Sequence, residues 1–253
     1  MLLAPKPGII YGPVNSRRLG ASLGINLLPP GEKRCTFDCA YCHFGWTASP
    51  PSTLAAFPTV DQVLSAVEDA LHKLRGSPPA FLTFSGNGEP TTHPQFRTIV
   101  EGVRKLRDRR LPAAKLAALS NSTRAAEPGV REALALLDVR IMKLDAGTEE
   151  IFQRYCRPQI RVTLDAIVAG LATLPDVTVQ ALFAGGSGGN AELAHVAAWI
   201  AKVVDIKPVA VQLYTLDRDW PSRELAPLDP DALHAIAAAL RAAGCPAAVY
   251  ARR

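Results

Sequence analysis

Apolar positions along the chain fall into two alternating patterns. Short continuous apolar runs occupy 22–28, 80–85, 114–119, 139–145, 177–183 and 208–214, and each predicts a strand. Between and after them, apolar residues recur at helical spacing over 60–75, 94–109, 128–137, 161–174, 191–204 and 230–243. Several strands read as unbroken apolar runs, and each is followed by a stretch long enough for a crossover helix. That combination points to a parallel sheet buried on both faces. Such β/α units build either a doubly wound sheet or an incomplete barrel, and hydrophobic period is the same in both. In either fold, chemistry gathers at the carboxyl ends of the strands. Gly and Pro mark those junctions most densely at Leu28-Pro29-Pro30-Gly31, Ser49-Pro50-Pro51 and Gly185-Gly186-Ser187-Gly188-Gly189.

Length and composition narrow the class. The 253 residues suit one α/β domain, read as a core over 21–245 with an N-terminal extension, 1–20, and a tail, 246–253. With 48% hydrophobic and 20% charged residues, the chain can build a core and is too apolar for disorder. The longest wholly apolar stretch, 166–174, is too short to span a bilayer. Met1 to Gly8 has neither the basic start nor the apolar centre of a secretion signal, so the expected location is the cytoplasm. Lys plus Arg, 28, exceed Asp plus Glu, 23, giving a formal charge of +5. This mild excess assists approach to a polyanion without requiring one. The densest basic run, Arg104 to Arg110, closes a predicted helix and reads as a solvated face that suits the helix C-terminus. Five cysteines without an export signal argue against a disulfide framework.

Three of those cysteines lie in Cys35-Thr36-Phe37-Asp38-Cys39-Ala40-Tyr41-Cys42, a C-x₃-C-x₂-C spacing. Thiolates so spaced converge on one centre from a single loop. A tetrahedral zinc needs a fourth ligand; His43 is badly placed to turn back, and Cys156 and Cys245 stand alone. A four-iron cube on three thiolates leaves one iron open, as a catalytic metal requires. The residues alone leave open a cluster, a structural zinc, or unliganded buried thiols. The second run ends in Ser85-Gly86-Asn87-Gly88-Glu89-Pro90, where glycines admit close backbone approach and Glu89 can accept from a ligand ammonium; a simple turn reads the same way. Ser120 and Asn121 end the third run and suit either a ligand or a tight left-handed turn at Asn121. Lys143 and Asp145 end the fourth; two apart on a strand, they share a face, as ligand contacts or as an ion pair.

The cysteine triad with Tyr41 before its third member, followed one β/α unit later by Gly86 to Glu89, resembles the radical SAM superfamily. Tyr11 to Gly20, Ser22 to Asn26, Thr83 to Pro90, Arg157-Pro158 and Gln212 to Thr215 resemble a compact prokaryotic group within it, similar to the wyosine-type tRNA guanosine modification enzymes. The resemblance implies a partial (β/α)₆ barrel, a [4Fe–4S] cluster on Cys35, Cys39 and Cys42, and S-adenosylmethionine. It sets Tyr41 near the adenine, Gly86, Asn87, Gly88 and Glu89 around the methionyl amine, Ser120 and Asn121 at the ribose or methionyl group, and Lys143 with Asp145 completing the site. Glycyl-radical-enzyme activases carry the last pair in the opposite order. Wyosine-forming enzymes have an additional upstream cysteine set, whereas no cysteine here precedes Cys35.

The activity implied is reductive cleavage of S-adenosylmethionine to a 5′-deoxyadenosyl radical that takes hydrogen from a substrate, with a reductant such as flavodoxin or ferredoxin. The substrate is then an RNA nucleoside or other large molecule, a tRNA or a protein. Other readings are a glycyl-radical activase, a small-molecule or peptide-modifying enzyme, and, from another class, a non-catalytic zinc or iron–sulfur protein. Cys156 and Tyr214 are the candidate catalytic residues on the substrate side. Cys156 reads as a hydrogen donor, a point of covalent attachment, or a small buried hydrophobe; Tyr214 ends the sixth run, by position at the mouth. Cys245, between Gly244 and Pro246, reads as structural, near a helix C-cap.

Overall fold

The computed structural model describes residues 1–47 and 56–250, so the Ser49-Pro50-Pro51 junction lies outside the described residues. In chain order the elements are β1 Ile10–Ser16, β2 Gly20–Ile25, α1 Val60–Lys73, β3 Phe81–Phe84, α2 Phe96–Arg110, β4 Lys115–Ser120, α3 Pro128–Ala135 and β5 Val139–Lys143. There follow α4 Glu149–Ile151, which runs into a π-helical turn Phe152–Cys156, then α5 Leu164–Ala172, β6 Val177–Leu182, β7 Ala184–Gly185, α6 Leu193–Ile206, β8 Ala210–Tyr214, β9 Ala226–Pro227, α7 Pro230–Ala242 and β10 Ala247–Tyr250. Eight strands form one curled half-barrel sheet in the order β1-β2-β3-β4-β5-β6-β8-β10. From β2 to β10 every pairing is parallel, and β1 joins β2 antiparallel. β7 and β9 make a small separate ribbon.

The six predicted strands and six predicted helices all form, with shifted ends. The sheet extends beyond the expected core at both ends, because the supposed extension supplies β1 and the supposed tail supplies β10. Neither strand announces itself. β1 is a half-exposed edge strand interrupted by Gly12 and Pro13, and β10 has four residues. Local signals fix several helix starts: Thr59 and Gln62 form a reciprocal capping box on α1, and Asp229 caps α7 ahead of Pro230. The basic run on α2 is not wholly solvated. Arg107 turns inward, donates to the Ala114 carbonyl at 2.7 Å and pairs with Asp138 at 2.5 Å.

Alternation along the strands separates two environments. On the outer face Leu82 and Phe84 are fully buried, and Phe84 meets Phe96 of α2 edge to face. The inner face mixes apolar residues with buried polar ones: Ser22 and Thr83 share a hydrogen bond of 2.7 Å, and Thr178, Gln180 and Gln212 are buried there. Closed parallel barrels fill this space with branched apolar side chains. Here Tyr11 of β1 enters it over Gly24, where any Cβ would fall inside the ring, and its hydroxyl lies 2.5 Å from Ser85 Oγ. Among the described residues, no helix is long and apolar enough to cross a membrane.

Candidate active site

The three cysteines occupy the loop after β2, at the carboxyl end of the sheet, and all are free and half-buried. Three sets of contacts hold this loop. Lys33 Nζ donates to Asp38 at 2.8 Å and to the Gly45 carbonyl at 2.7 Å, while Asp38 also accepts from Thr47 N and Oγ1, so the base of the loop is stapled. Arg34 N donates to the Asn87 carbonyl and Glu89 N to the Arg34 carbonyl. Between them Gly88, at φ +140°, lies so close that a Cβ would run into the Arg34 carbonyl. Finally, Asp38 N donates to Arg157 O, Ala40 N to Tyr155 O and Gln159 N to Thr36 O, each at 2.8–3.0 Å. The π-helical turn is thus laced to the cysteine loop through main-chain atoms.

Burial, together with the Glu89 carboxylate, pushes the Cys35 thiol up to about 12. Burial and then the neighbouring thiols push Cys39 well above its ordinary value. Thiols that disfavour one another's charged forms become thiolates when a positive metal body compensates them. Among the described residues, no three His, Cys, Asp or Glu side chains gather round a single ion. Three free thiols on one stapled loop, beside a glycine that leaves no room for a side chain, are the donor set a thiolate-held iron–sulfur cluster requires.

Glu89, Ser120 and Asn121 form one network. Glu89 is 1% exposed; its Oε1 accepts from Thr91 N, Thr91 Oγ1 and Ser120 Oγ, and its Oε2 from Asn121 N. Burial raises its pKa while these four donors oppose the rise. Asn121 Nδ2 donates to Thr36 Oγ1 at 2.8 Å and stands 3.5 Å from Cys35 Sγ, which ties the network to the cysteine loop. The left-handed residue of this turn is Ser122, at φ 73°, so the tight turn that was one of the two readings of Asn121 falls one residue later. Gly86 packs on Asn26. The Asn87 side chain is turned to the scaffold: it pins both Lys6 backbone atoms and donates to Pro29 O.

Lys143 and Asp145 do share a face, and they pair at 2.8 Å. Lys143 also donates to Tyr214 Oη at 2.9 Å and lies over the rings of Tyr41 and Tyr214. Burial pulls the Lys143 pKa down, but Asp145 and Tyr214 more than offset it, so the ammonium stays charged. Asp145 accepts in addition from Leu182 N and from the Tyr41 hydroxyl. Tyr41 packs on Tyr155 with ring centroids 5.0 Å apart, and buried Tyr155 donates to Leu182 O. Cys156 ends the π turn, 2% exposed, and with Phe37, Asn121, Lys143, Asp145 and Phe152 lines a small cavity. Such turns recur at functional sites. Cys245 sits away from this mouth, behind α7, its N–H on the Leu240 carbonyl.

The sequence reading missed Tyr155, the Lys33–Asp38 staple and the polar inner row. Of these Tyr155 had a signal in its place beside Cys156-Arg157-Pro158, and Gln212 in the Gln212 to Thr215 segment. The rim is cationic: Arg18 lies 4.6 Å over Tyr214 and Arg157 lies 4.7 Å over Trp46. Burial and the surrounding Arg218, Lys6, Lys33 and Arg18 hold the His43 pKa down at about 4.

No family model matches the sequence. A UPF0026 protein of Helicobacter pylori is 31% identical over 226 residues, spanning 87% of this chain and 70% of that protein. Among solved structures, a radical SAM methyltransferase from Sphaerobacter thermophilus aligns with a TM-score of 0.63 at 18% identity, over 92% of this chain and 66% of that one. Streptococcus suis SuiB, solved bound to S-adenosylmethionine, gives 0.65 at 9% identity, over 91% of this chain and 50% of its own. The likeness to both structures lies in the fold, whereas the relative is similar in sequence along most of its length. The chain belongs to the UPF0026 protein family, and its fold is that of the radical SAM enzymes.

Proposed function

We propose that this protein is a radical SAM enzyme acting in the cytoplasm on an RNA nucleoside or another large substrate. One observation carries the reading: three free thiols on a single stapled loop at the carboxyl-end mouth of a half barrel, beside the buried Glu89 network. A [4Fe–4S] cluster and S-adenosylmethionine would supply, when bound, reductive cleavage of the sulfonium and removal of hydrogen from the substrate. Cys35, Cys39 and Cys42 would hold it.

The other residues bind, orient and exclude water. Glu89, fixed by four donors, keeps a carboxylate in one place for an ammonium and sets the positions of Ser120 and Asn121. Lys143 keeps a positive charge at the mouth, suited to a carboxylate, and Asp145 holds both Lys143 and Tyr41 in their rotamers. The Tyr41–Tyr155 pair and Phe152 close the inner side against water. The open sheet and the cations Arg18, Arg157 and Arg218 on the rim suit a large anionic substrate better than a small neutral one. A small acidic electron carrier of the flavodoxin or ferredoxin type suits the same charge.

Anaerobic reconstitution tests the reading. The expected protein binds about four irons per chain, forms 5′-deoxyadenosine from S-adenosylmethionine after reduction, and loses both properties in Cys39→Ala. A colourless protein holding one zinc and cleaving no S-adenosylmethionine overturns it. Added tRNA should raise 5′-deoxyadenosine release at low salt; no rise removes the RNA substrate.

A further inference from the structure

The strips 36–40 and 155–159 run against one another in antiparallel register. Phe37 and Pro158 form an isolated antiparallel bridge, framed by Asp38 N donating to Arg157 O and Gln159 N donating to Thr36 O. Ala40 N, donating to Tyr155 O at 3.0 Å, carries the same register further along. That register sets Cys39 opposite Cys156. Bonds join 36 to 159, 38 to 157 and 40 to 155, so 37/158 and 39/156 are the positions between bonds. There, antiparallel chains bring facing side chains closest, with Cα atoms about 4.5 Å apart. A disulfide spans Cα separations of about 4.4–6.8 Å. The two thiols are free and share their surroundings. Burial and then the facing Cys39 push the Cys156 thiol well above its ordinary value, and Asp145 adds to the rise at both.

We propose that Cys39 and Cys156 join as a disulfide in the metal-free protein, a reversible modification that withholds one of the three cluster thiols. The bridge follows from the two strips alone; its consequence for loading rests on Cys39 being a cluster ligand. The oxidant is a peroxide. Cys39, half-buried, is the more open thiol and takes the first oxygen, giving a sulfenic acid and one water. Cys156, 2% exposed, attacks that sulfur, forms the S–S bond and expels the oxygen as a second water. Two thiols have then lost two hydrogens and two electrons, and one peroxide has become two waters. A dithiol reductant returns both thiols by exchange. Without its neighbour, oxidised Cys39 would pass on to the sulfinic acid, which thiols do not reverse. The bridge therefore keeps an empty cluster loop at a recoverable level of oxidation.

Peptide mapping of the metal-free full chain tests this. After one equivalent of hydrogen peroxide and alkylation without reduction, peptides carrying Cys39 and Cys156 should be linked, and free thiols should fall from five to three. Iron uptake on anaerobic reconstitution should be lost and should return after dithiothreitol. The oxidised chain should also melt higher than the reduced one, because the bridge closes a long loop. Cys156→Ser should instead accumulate Cys39 sulfinic acid, seen as two added oxygens in its peptide, while Cys245→Ser should form the bridge as the parent does. A link confined to Cys35, Cys39 and Cys42, or Cys156 recovered with its thiol intact, overturns the proposal, whether or not the variants fold. Iron content separates the two readings. A Cys39–Cys156 link in protein that takes up no iron even when reduced sinks the radical SAM reading and leaves the bridge; full iron uptake with Cys156 always reduced does the reverse.

Discussion

Asp145, with 1% of its side chain exposed, accepts from Lys143, from the Tyr41 hydroxyl and from Leu182 N together. Removing it leaves the Lys143 ammonium largely buried without a counter-charge. Asp145→Ala should therefore cost about 3 kcal/mol in urea unfolding, and Asp145→Ala/Lys143→Met should recover much of that loss, because replacing both partners removes the unpaired charge. His93 provides a pH test. It is 2% exposed, its Nδ1 accepts from Gln95 N and its Nε2 donates to the Pro58 carbonyl, so the neutral ring is fully satisfied and burial depresses its pKa. Below the ordinary value of about 6.5 the unfolded chain takes a proton that the folded chain refuses. Stability should fall as pH drops from there toward the depressed folded value, by up to about 1.4 kcal/mol per unit, and His93→Gln should flatten that slope. At this scale the sequence put Lys143 and Asp145 on one face because strand alternation is a fixed rule. It was silent on Lys33 and Asp38, whose five-residue separation within a loop corresponds to no period.

Two glycines decide how whole elements meet. Gly88 lets the Arg34 carbonyl close on the turn after β3, and no side chain rearrangement can clear a Cβ from a backbone oxygen. Gly88→Ala should displace the start of the cysteine loop and lower iron bound per chain on anaerobic reconstitution, while far-ultraviolet circular dichroism stays near that of the parent. Gly24 makes room for the Tyr11 ring. Gly24→Ala should destabilise by about 2 kcal/mol, an overpacking cost. Adding Tyr11→Leu should return part of it in the same denaturation measurement. The parallel strands and their helices were legible because buried runs and crossover lengths are written in hydropathy. β1 was not, since its residues are half exposed, and the π turn was not, because its i→i+5 bonding leaves no apolar period to detect.

For the whole molecule, hydrophobic period left a doubly wound sheet and an incomplete barrel equally open. The observed order decides, since the strands from β2 to β10 lie side by side in chain order, with no reversal at a switch point. The thiol loop packs on both the β3–β4 turns and the π turn, so filling it should stabilise the fold as a unit. Iron-loaded protein should melt higher than metal-free protein, by about 2–4 °C for each kcal/mol of coupled binding, and chelation should reverse the gain in a thermal scan. The lacing of 155–159 onto 36–40 uses main-chain atoms alone. The exposed side chains of the outer strip are therefore free to be exchanged over evolutionary time without unseating the sulfurs. Arg157 and Gln159, exposed beside the mouth, are positions where this architecture can change its preferred guest while its inorganic anchor stays put.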